Sequence, residues 1–342
     1  MTNIRLGKTE IITNKNGFGA LPIQRISFEE ADVLIMHAYN NGITFFDTAR
    51  FYTDSEEKLG KSLCARGLRD KVYLASKTMC NNTEAFWSQL ETTLTNLQTD
   101  YLDLYQFHNP TFCPKPEDGT GLYEAMLAAK AQGKIRHIGI TNHKLAIAEE
   151  AIRSGLYETL QFPFSYLSSE AELNLVAMCK EADMGFIAMK AMSGGLITRA
   201  DAAYAFIDQF DNVLPIWGVQ KMDELNQFLA CTENPPAMDD SITAFIQKER
   251  EDLAGDFCRG CGYCMPCPVG IKINDCARMS LMIRRAPTDT YMNEAFQAEM
   301  EKIENCLHCG QCAEKCPYSL DTPALLEKNL IDYRRQLRAM GK

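Results

Sequence analysis

Eight of the fourteen cysteines fall in two short runs, CRGCGYCMPCP from Cys258 and CLHCGQCAEKCP from Cys306. Thiolates spaced two or three residues apart can close around a metal centre, and soft sulfur ligands select zinc or iron–sulfur clusters. A second group of reactive side chains lies much nearer the N-terminus. Asp47 and Tyr52 stand in FFDTARFY, Lys77 ends KVYLASK and His108 ends LDLYQFH. A carboxylate, a phenol, an amine and an imidazole can together hold and move a proton. Each also has a plainer reading as a helix cap, a surface aromatic, a solvated charge or a packed histidine. Four at neighbouring positions of one architecture are harder to read that way.

That architecture follows from the pattern around them. Short apolar, β-branched or aromatic runs recur at 43–49, 71–77, 102–108, 135–141, 159–165, 185–191 and 212–218, with a first near Gly17–Leu21. Helical patterns lie between them. SFEEADVLIMHAYNNG opens with Ser27 and Glu30 at capping-box spacing, as SEAELNLVAMCKEADMG does with Ser169 and Glu172. TEAFWSQLETTLTNLQ puts Phe86, Leu90, Leu94 and Leu97 on one face. Eight strands separated by helices predict an α/β fold, a closed (β/α)8 TIM barrel, whose site lies at the C-terminal ends of the strands. No GxGxxG follows the first strand, which weighs against an open dinucleotide-binding sheet. TENPPAMDD (232–240) reads as a connector. We therefore expect a barrel over 1–235 and a small, mainly α-helical ferredoxin-like domain over 236–342.

The second cysteine run, Cys306, Cys309, Cys312 and Cys316 before Pro317, matches C-x2-C-x2-C-x3-C-P, the run of bacterial ferredoxins. The first, Cys258, Cys261, Cys264 and Cys267 before Pro268, is one residue shorter before its last cysteine. In two-cluster ferredoxins the fourth cysteine ligates the other cluster. The resemblance implies two [4Fe–4S] clusters, one on Cys258, Cys261, Cys264 and Cys316, the other on Cys306, Cys309, Cys312 and Cys267. Structural zinc needs only two knuckles per ion and leaves the third close cysteine unexplained. The spacer between the runs, including INDCARMSLMIRR and YMNEAFQAEMEKIEN, reads as helical.

From RLGKTEIITNKNGFGAL through GITFFDTARFYTDSEEKLG, ASKT, LYQFHNP and GITNH, roughly residues 4–230, the chain resembles the aldo-keto reductase family. The family's catalytic residues fall on Asp47, Tyr52, Lys77 and His108. The resemblance implies NAD(P)H-linked reduction of a small aldehyde or ketone, or the reverse oxidation of an alcohol. Tyr52 would be the general acid or base, its ordinary pKa of about 10 lowered by the Lys77 cation. Asp47 would hold Lys77, and His108 would orient the substrate oxygen. Thr141, Asn142 and Gln161 match contacts to the nicotinamide carboxamide. The pattern then departs: Met189 in MKAMSGG stands where relatives stack an aromatic ring. Lys221 remains near the adenosine phosphate, but Gln220 and Phe228 replace the usual arginine and asparagine. NADP(H) is the expected cofactor, with NAD(H) or flavin as alternatives.

The net charge of −10 argues against nucleic acid as a general partner. No apolar run is long enough to span a membrane, and the N-terminus lacks a hydrophobic signal core, so a cytoplasmic protein is expected. The remaining cysteines, Cys64, Cys80, Cys113, Cys179, Cys231 and Cys276, read as small buried hydrophobes. Arg284, Arg285, Arg334, Arg335 and Arg338 could dock an acidic ferredoxin or flavodoxin, though a solvated helix face is the simpler reading. The clusters would relay electrons to the barrel or structure the C-terminal domain. The alternative is an iron–sulfur electron-transfer or redox-sensing protein whose barrel is a binding module.

Overall fold

The computed structural model describes residues 3–253, 257–285 and 291–340, with backbone alone at 284 and 285. The chain divides into two compact units, Met1–Ala191 with Ala200–Ile242, and Met192–Arg199 with Thr243–Lys342.

The first unit is a closed barrel of eight parallel strands. These are β3 (Gly17–Gly19), β4 (Phe45–Asp47), β5 (Tyr73–Thr78), β6 (Leu102–His108), β7 (Ile135–Thr141), β8 (Thr159–Pro163), β9 (Gly185–Met189) and β10 (Val213–Gly218), with β10 pairing β3. A hairpin of β1 (Asn3–Arg5) and β2 (Ile12–Asn14) precedes them. Its Ile4, Leu6 and Ile11 pack with Phe45, Ala75, Leu104, Ile187, Leu214 and Ile216 and are fully buried. The hairpin thereby occludes the barrel interior, and Gly7 closes it against β9. A Cβ at Gly7 would lie 2.2 Å from the Gly185 nitrogen, so only glycine permits the approach.

The helices form where the patterns place them. Both capping boxes are made, Ser27 with Glu30 before Phe28–Asn40 and Ser169 with Glu172 before Glu170–Glu181. In Thr83–Leu97 the buried residues are Phe86, Leu90, Thr93, Leu94 and Leu97, one apolar stripe facing the sheet. The strands read in sequence as 43–49 and 159–165 are shorter in the structure, because the chain turns away once the barrel rim is reached.

The second unit has no strand among its described residues. Short helices, Ile273–Cys276, Met279–Arg285, Glu294–Glu301 and Gln311–Glu314, gather round the long helix Thr322–Ala339. Part of the spacer, 286–290, lies outside the described residues. The core of this unit is built from Met279, Met282, Met292, Met300, Leu326 and Tyr333, with Cys264, Cys276 and Cys312 among them.

Candidate active site and cysteine cavities

Strand register assembles the first site. Parallel partners face the same side of a sheet, and side chains alternate along each strand. Asp47 pairs with Ala75, Lys77 with Gln106, His108 with Thr141, Thr141 with Gln161, and Gln161 with Ile187. Since Phe45, Ala75, Leu104 and Ile187 line the interior, Asp47, Lys77, Gln106, His108, Thr141, Gln161 and Met189 face it too. They lie toward the C-terminal ends of their strands, at the end away from the hairpin.

Lys77 and Asp47 form a fully buried ion pair, Nζ to Oδ2 2.6 Å, and Nζ also donates to the Thr48 carbonyl at 2.7 Å. Burial opposes both charges. It pushes the Asp47 carboxyl up and the Lys77 amine down, and their mutual attraction works against each shift. Gln106 donates to Gln161 Oε1 at 2.9 Å, and both amides stand 3.5 Å from the Asp47 carboxylate. The Lys77 ammonium lies 5.1 Å from the centre of the Tyr52 ring. That ring meets His108 edge to face, with centroids 5.8 Å apart at 83°.

The loop carrying Tyr52 is tied at several points. Thr48 N–H donates to the Ala75 carbonyl and Arg50 N–H to that of Lys77. Tyr52 N–H closes a turn on Ala49, and its carbonyl accepts from Ser55 N–H. Buried Glu56 accepts from Arg50, Ser76 and Thr93 at 2.6–2.8 Å. The serine and glutamate of the DTARFYTDSE segment thus hold the tyrosine loop to the strands beside it.

His108 is buried, and burial first, then the Lys77 and Lys190 charges, push its imidazole down to about 3. It is neutral at physiological pH, and its Nδ1 has no hydrogen-bond partner among the described residues. Lys190 follows β9 at a left-handed φ of 57°. No local pattern singles out Lys190 in GFIAMKA or Gln106 in LYQFHN. Only the closed barrel shows that Gln106 faces Asp47 and that the Lys190 charge bears on His108.

The residues matched to nucleotide contacts are placed as follows. Thr141 is buried, and its hydroxyl accepts from Asn109 N–H at 3.0 Å. Asn142 donates to the Pro110 carbonyl and accepts from His143 and Lys144 N–H, so much of its capacity is committed locally. Met189 is half-buried at the end of β9, and Lys221 is exposed at the start of helix Met222–Glu233. Glu224 accepts the N–H groups of Gln220 and Lys221 at 2.8 and 3.1 Å, setting a carboxylate on that helix start. Phe228 belongs to the core, stacked on Trp217 with centroids 4.1 Å apart.

In the second unit the cysteines surround two cavities. Cys258, Cys261, Cys264 and Cys316 line one; Cys264, Cys267, Cys306, Cys309 and Cys312 line the other. Each fourth cysteine thus comes from the opposite run, and Cys264 borders both spaces. Among the described residues no three His, Cys, Asp or Glu gather so as to hold a single metal ion. Cysteines set around a space suit a cube with four corner ligands better than one tetrahedral ion. Burial pushes the Cys264 thiol up to about 12 and raises Cys258 and Cys312. A cationic core held there would favour the thiolates against that burial. Positive φ at Gly260, Gly262 and Gly310 turns the chain between successive cysteines. Gly260 N–H also donates to Cys258 Sγ at 3.4 Å.

None of the fourteen cysteines is in a disulfide. Of the six outside the runs, Cys113, Cys179, Cys231 and Cys276 are buried, and Cys64 and Cys80 are half-buried. In the basic helix Arg334 is satisfied by Glu301 and Glu304, and Arg335 by Asp332. The side chains of Arg284 and Arg285 lie outside the described residues. No described helix is long and apolar enough to cross a membrane.

A parallel eight-stranded barrel with this rim defines the class, and the comparisons name the family. Residues 15–211 match the aldo/keto reductase family, and residues 257–321 match the 4Fe-4S dicluster domain. The chain belongs to the aldo/keto reductase family and carries a C-terminal dicluster domain. Its relatives include Aldo-keto reductase YhdN of Bacillus subtilis (strain 168), 31% identical over 176 residues, 48% of this chain and 52% of that protein. L-galactose dehydrogenase of Arabidopsis thaliana is 28% identical over 220 residues, 58% of this chain and 69% of that one. The chain thus spans 52% of the first relative's length. Among solved structures, the aldo-keto reductase from Klebsiella pneumoniae in complex with NADPH shares the fold. Its TM-score is 0.62 at 24% identity, covering 72% of this chain and 94% of that one.

Proposed function

We propose that the chain reduces a small aldehyde or ketone with a nicotinamide nucleotide, Tyr52 giving the proton to the carbonyl oxygen. The observation that carries this reading is the buried Asp47–Lys77 pair beside the Tyr52 ring and neutral His108. The reduced nicotinamide supplies the hydride. Lys77 favours the phenolate left when Tyr52 gives up its proton, and Asp47 keeps Lys77 in place. Neutral His108 can donate one hydrogen bond to the substrate oxygen and orient it. In oxidation of an alcohol the same phenolate takes the proton.

Thr141, Asn142 and Gln161 would hold the carboxamide, with Met189 against the ring and Lys221 toward the adenosine. The NADPH complex of a family member supports NADP(H). Glu224 on the helix start beside Lys221 opposes a further phosphate, so selectivity over NAD(H) is expected to be small. No described feature favours flavin. The two cysteine cavities support two [4Fe–4S] clusters with crossed fourth ligands. Their place within the apolar core of the second unit supports a structural part for them, and a reducing cytoplasm suits fourteen unpaired thiols. A redox-sensing protein with an idle barrel would leave the Asp47–Lys77 pair without use.

Tyr52→Phe tests the assignment. Carbonyl reduction should fall by about 10²–10⁴-fold, the range for a positioned acid–base group, while nucleotide binding is kept. A variant with undiminished turnover sinks the reading. Anaerobic titration with NADPH, followed by cluster absorbance, then asks whether the units exchange electrons: bleaching links them, and unchanged spectra leave the structural part.

A further inference from the structure

The environments of the two cysteine cavities differ in charge. The cavity bounded by Cys267, Cys306, Cys309 and Cys312 is otherwise lined by Pro268, Val269, Ile271, Leu307, Leu326 and similar side chains, with Gln311 and no charged group. The cavity bounded by Cys258, Cys261, Cys264 and Cys316 is lined by Arg259. A second guanidinium, that of Arg278, lies against its ligand loop.

Arg278 is held firmly within the second unit. Its Nη1 donates to the Gly194 carbonyl at 2.7 Å. A Cβ at Gly260, between Cys258 and Cys261, would stand 2.8 Å from Arg278 Cζ, and one at Gly194 would stand 2.8 Å from Nη1. The guanidinium therefore packs between two glycine backbones, both with φ +65°, where a side chain would be strained and would push it aside. Its Nε is buried without a hydrogen-bond partner, and no carboxylate pairs with it among the described residues. Its charge therefore stands beside the loop that carries Cys258 and Cys261, behind the residues that line the cavity. Arg259 is held differently, its guanidinium over the Tyr318 and Phe257 rings at 4.3 and 5.2 Å.

We propose that Arg278 is a positioning residue that sets the first centre, on Cys258, Cys261, Cys264 and Cys316, at a higher reduction potential than the second, on Cys267, Cys306, Cys309 and Cys312. This rests on the two-cluster reading above. A [4Fe–4S] cube with four thiolates carries net charge −2, and one electron takes it to −3, with no bond made or broken. A fixed, unpaired cation at partly buried distance stabilises the more negative state, and the apolar second cavity offers no counterpart. One electron delivered to the pair by a low-potential one-electron donor then resides on the first centre.

The test uses the full chain reconstituted anaerobically, as wild type, Arg278→Gln and Arg278→Lys, in dithionite-poised redox titrations followed by electron paramagnetic resonance. Wild type should show two one-electron midpoints. Arg278→Gln should disfavour reduction at the higher one about tenfold, ~59 mV for one electron, and leave the lower one in place. Arg278→Lys, which keeps the charge, should stay within about threefold of wild type (~28 mV). Fully loaded Arg278→Gln with both midpoints unmoved overturns the proposal, as does a lysine variant lowered tenfold despite full iron. If glutamine prevents loading, the lysine result alone decides. Iron and sulfide content separates the two levels. Fewer than two cubes per chain in wild type defeats the two-cluster reading, whereas two cubes with unmoved midpoints defeat only the role of Arg278.

Discussion

The two units place reactive side chains by opposite means. In the barrel, Asp47, Lys77, Gln106, His108, Thr141 and Gln161 come from five strands spread over more than a hundred residues, and register alone brings them together. In the second unit the cysteines come in two local runs, with left-handed glycines turning the chain between them. The barrel closes its core with aliphatic and aromatic side chains before any ligand is considered. The second unit has cysteines of both runs in or against its core, so its packing includes the side chains that line the two cavities. Long-range placement yields a site that survives as long as the fold does. Local placement would make the fold depend on what the cysteines hold.

The largest expected effect breaks that contrast or confirms it. Stripping iron with a chelator under reducing conditions should leave residues 243–342 open to proteolysis, because metal-binding free energy is folding free energy in such modules. Both tryptophans, Trp87 and Trp217, lie in the first unit, so their fluorescence should not change. A second unit that stays protease-resistant without iron would end the comparison.

Within the barrel, Asp47→Asn leaves Lys77 buried without its counter-charge. It should cost about 3–5 kcal/mol, read from the denaturant midpoint of tryptophan fluorescence, with iron content unchanged. A loss below about 1 kcal/mol, the range of exposed pairs, would mean that the pair is not sealed from solvent.

The smallest effect concerns His108. The unfolded chain takes up this proton near pH 6.5, but the folded chain does so only near 3. The folded state binds fewer protons between those values. Its stability should be complete above about pH 6.5 and fall as the pH drops toward 3, by at most about 1.4 kcal/mol per pH unit. Comparing unfolding midpoints at pH 7 and pH 5 in wild type and His108→Asn isolates this contribution; equal slopes would show that the imidazole is not held neutral.

Much of this was legible in the chain. Strands 102–108 and 135–141 were delimited to the residue, because alternating or continuous apolar runs between turn residues leave little freedom. Both capping boxes were readable because a cap is local chemistry. Less legible were Lys190, Gln106 and Arg278. A lone lysine, glutamine or arginine in sequence is most often a solvated group, and nothing in its neighbours reports what lies across a barrel or a cavity.

The sequence by itself determined the eight-unit alternation, the Asp47, Tyr52, Lys77 and His108 set and the two cysteine runs, since each is written in residue type and short spacing. Only the tertiary structure decided that Asp47 meets Lys77 at 2.6 Å, that Phe228 stacks on Trp217 in the core, and that Met192–Arg199 belongs with the second unit. It also decided that Arg278 lies between Gly194 and Gly260. These facts depend on which distant segments pack together. Packing is a property of the whole closed chain, which local spacing does not encode.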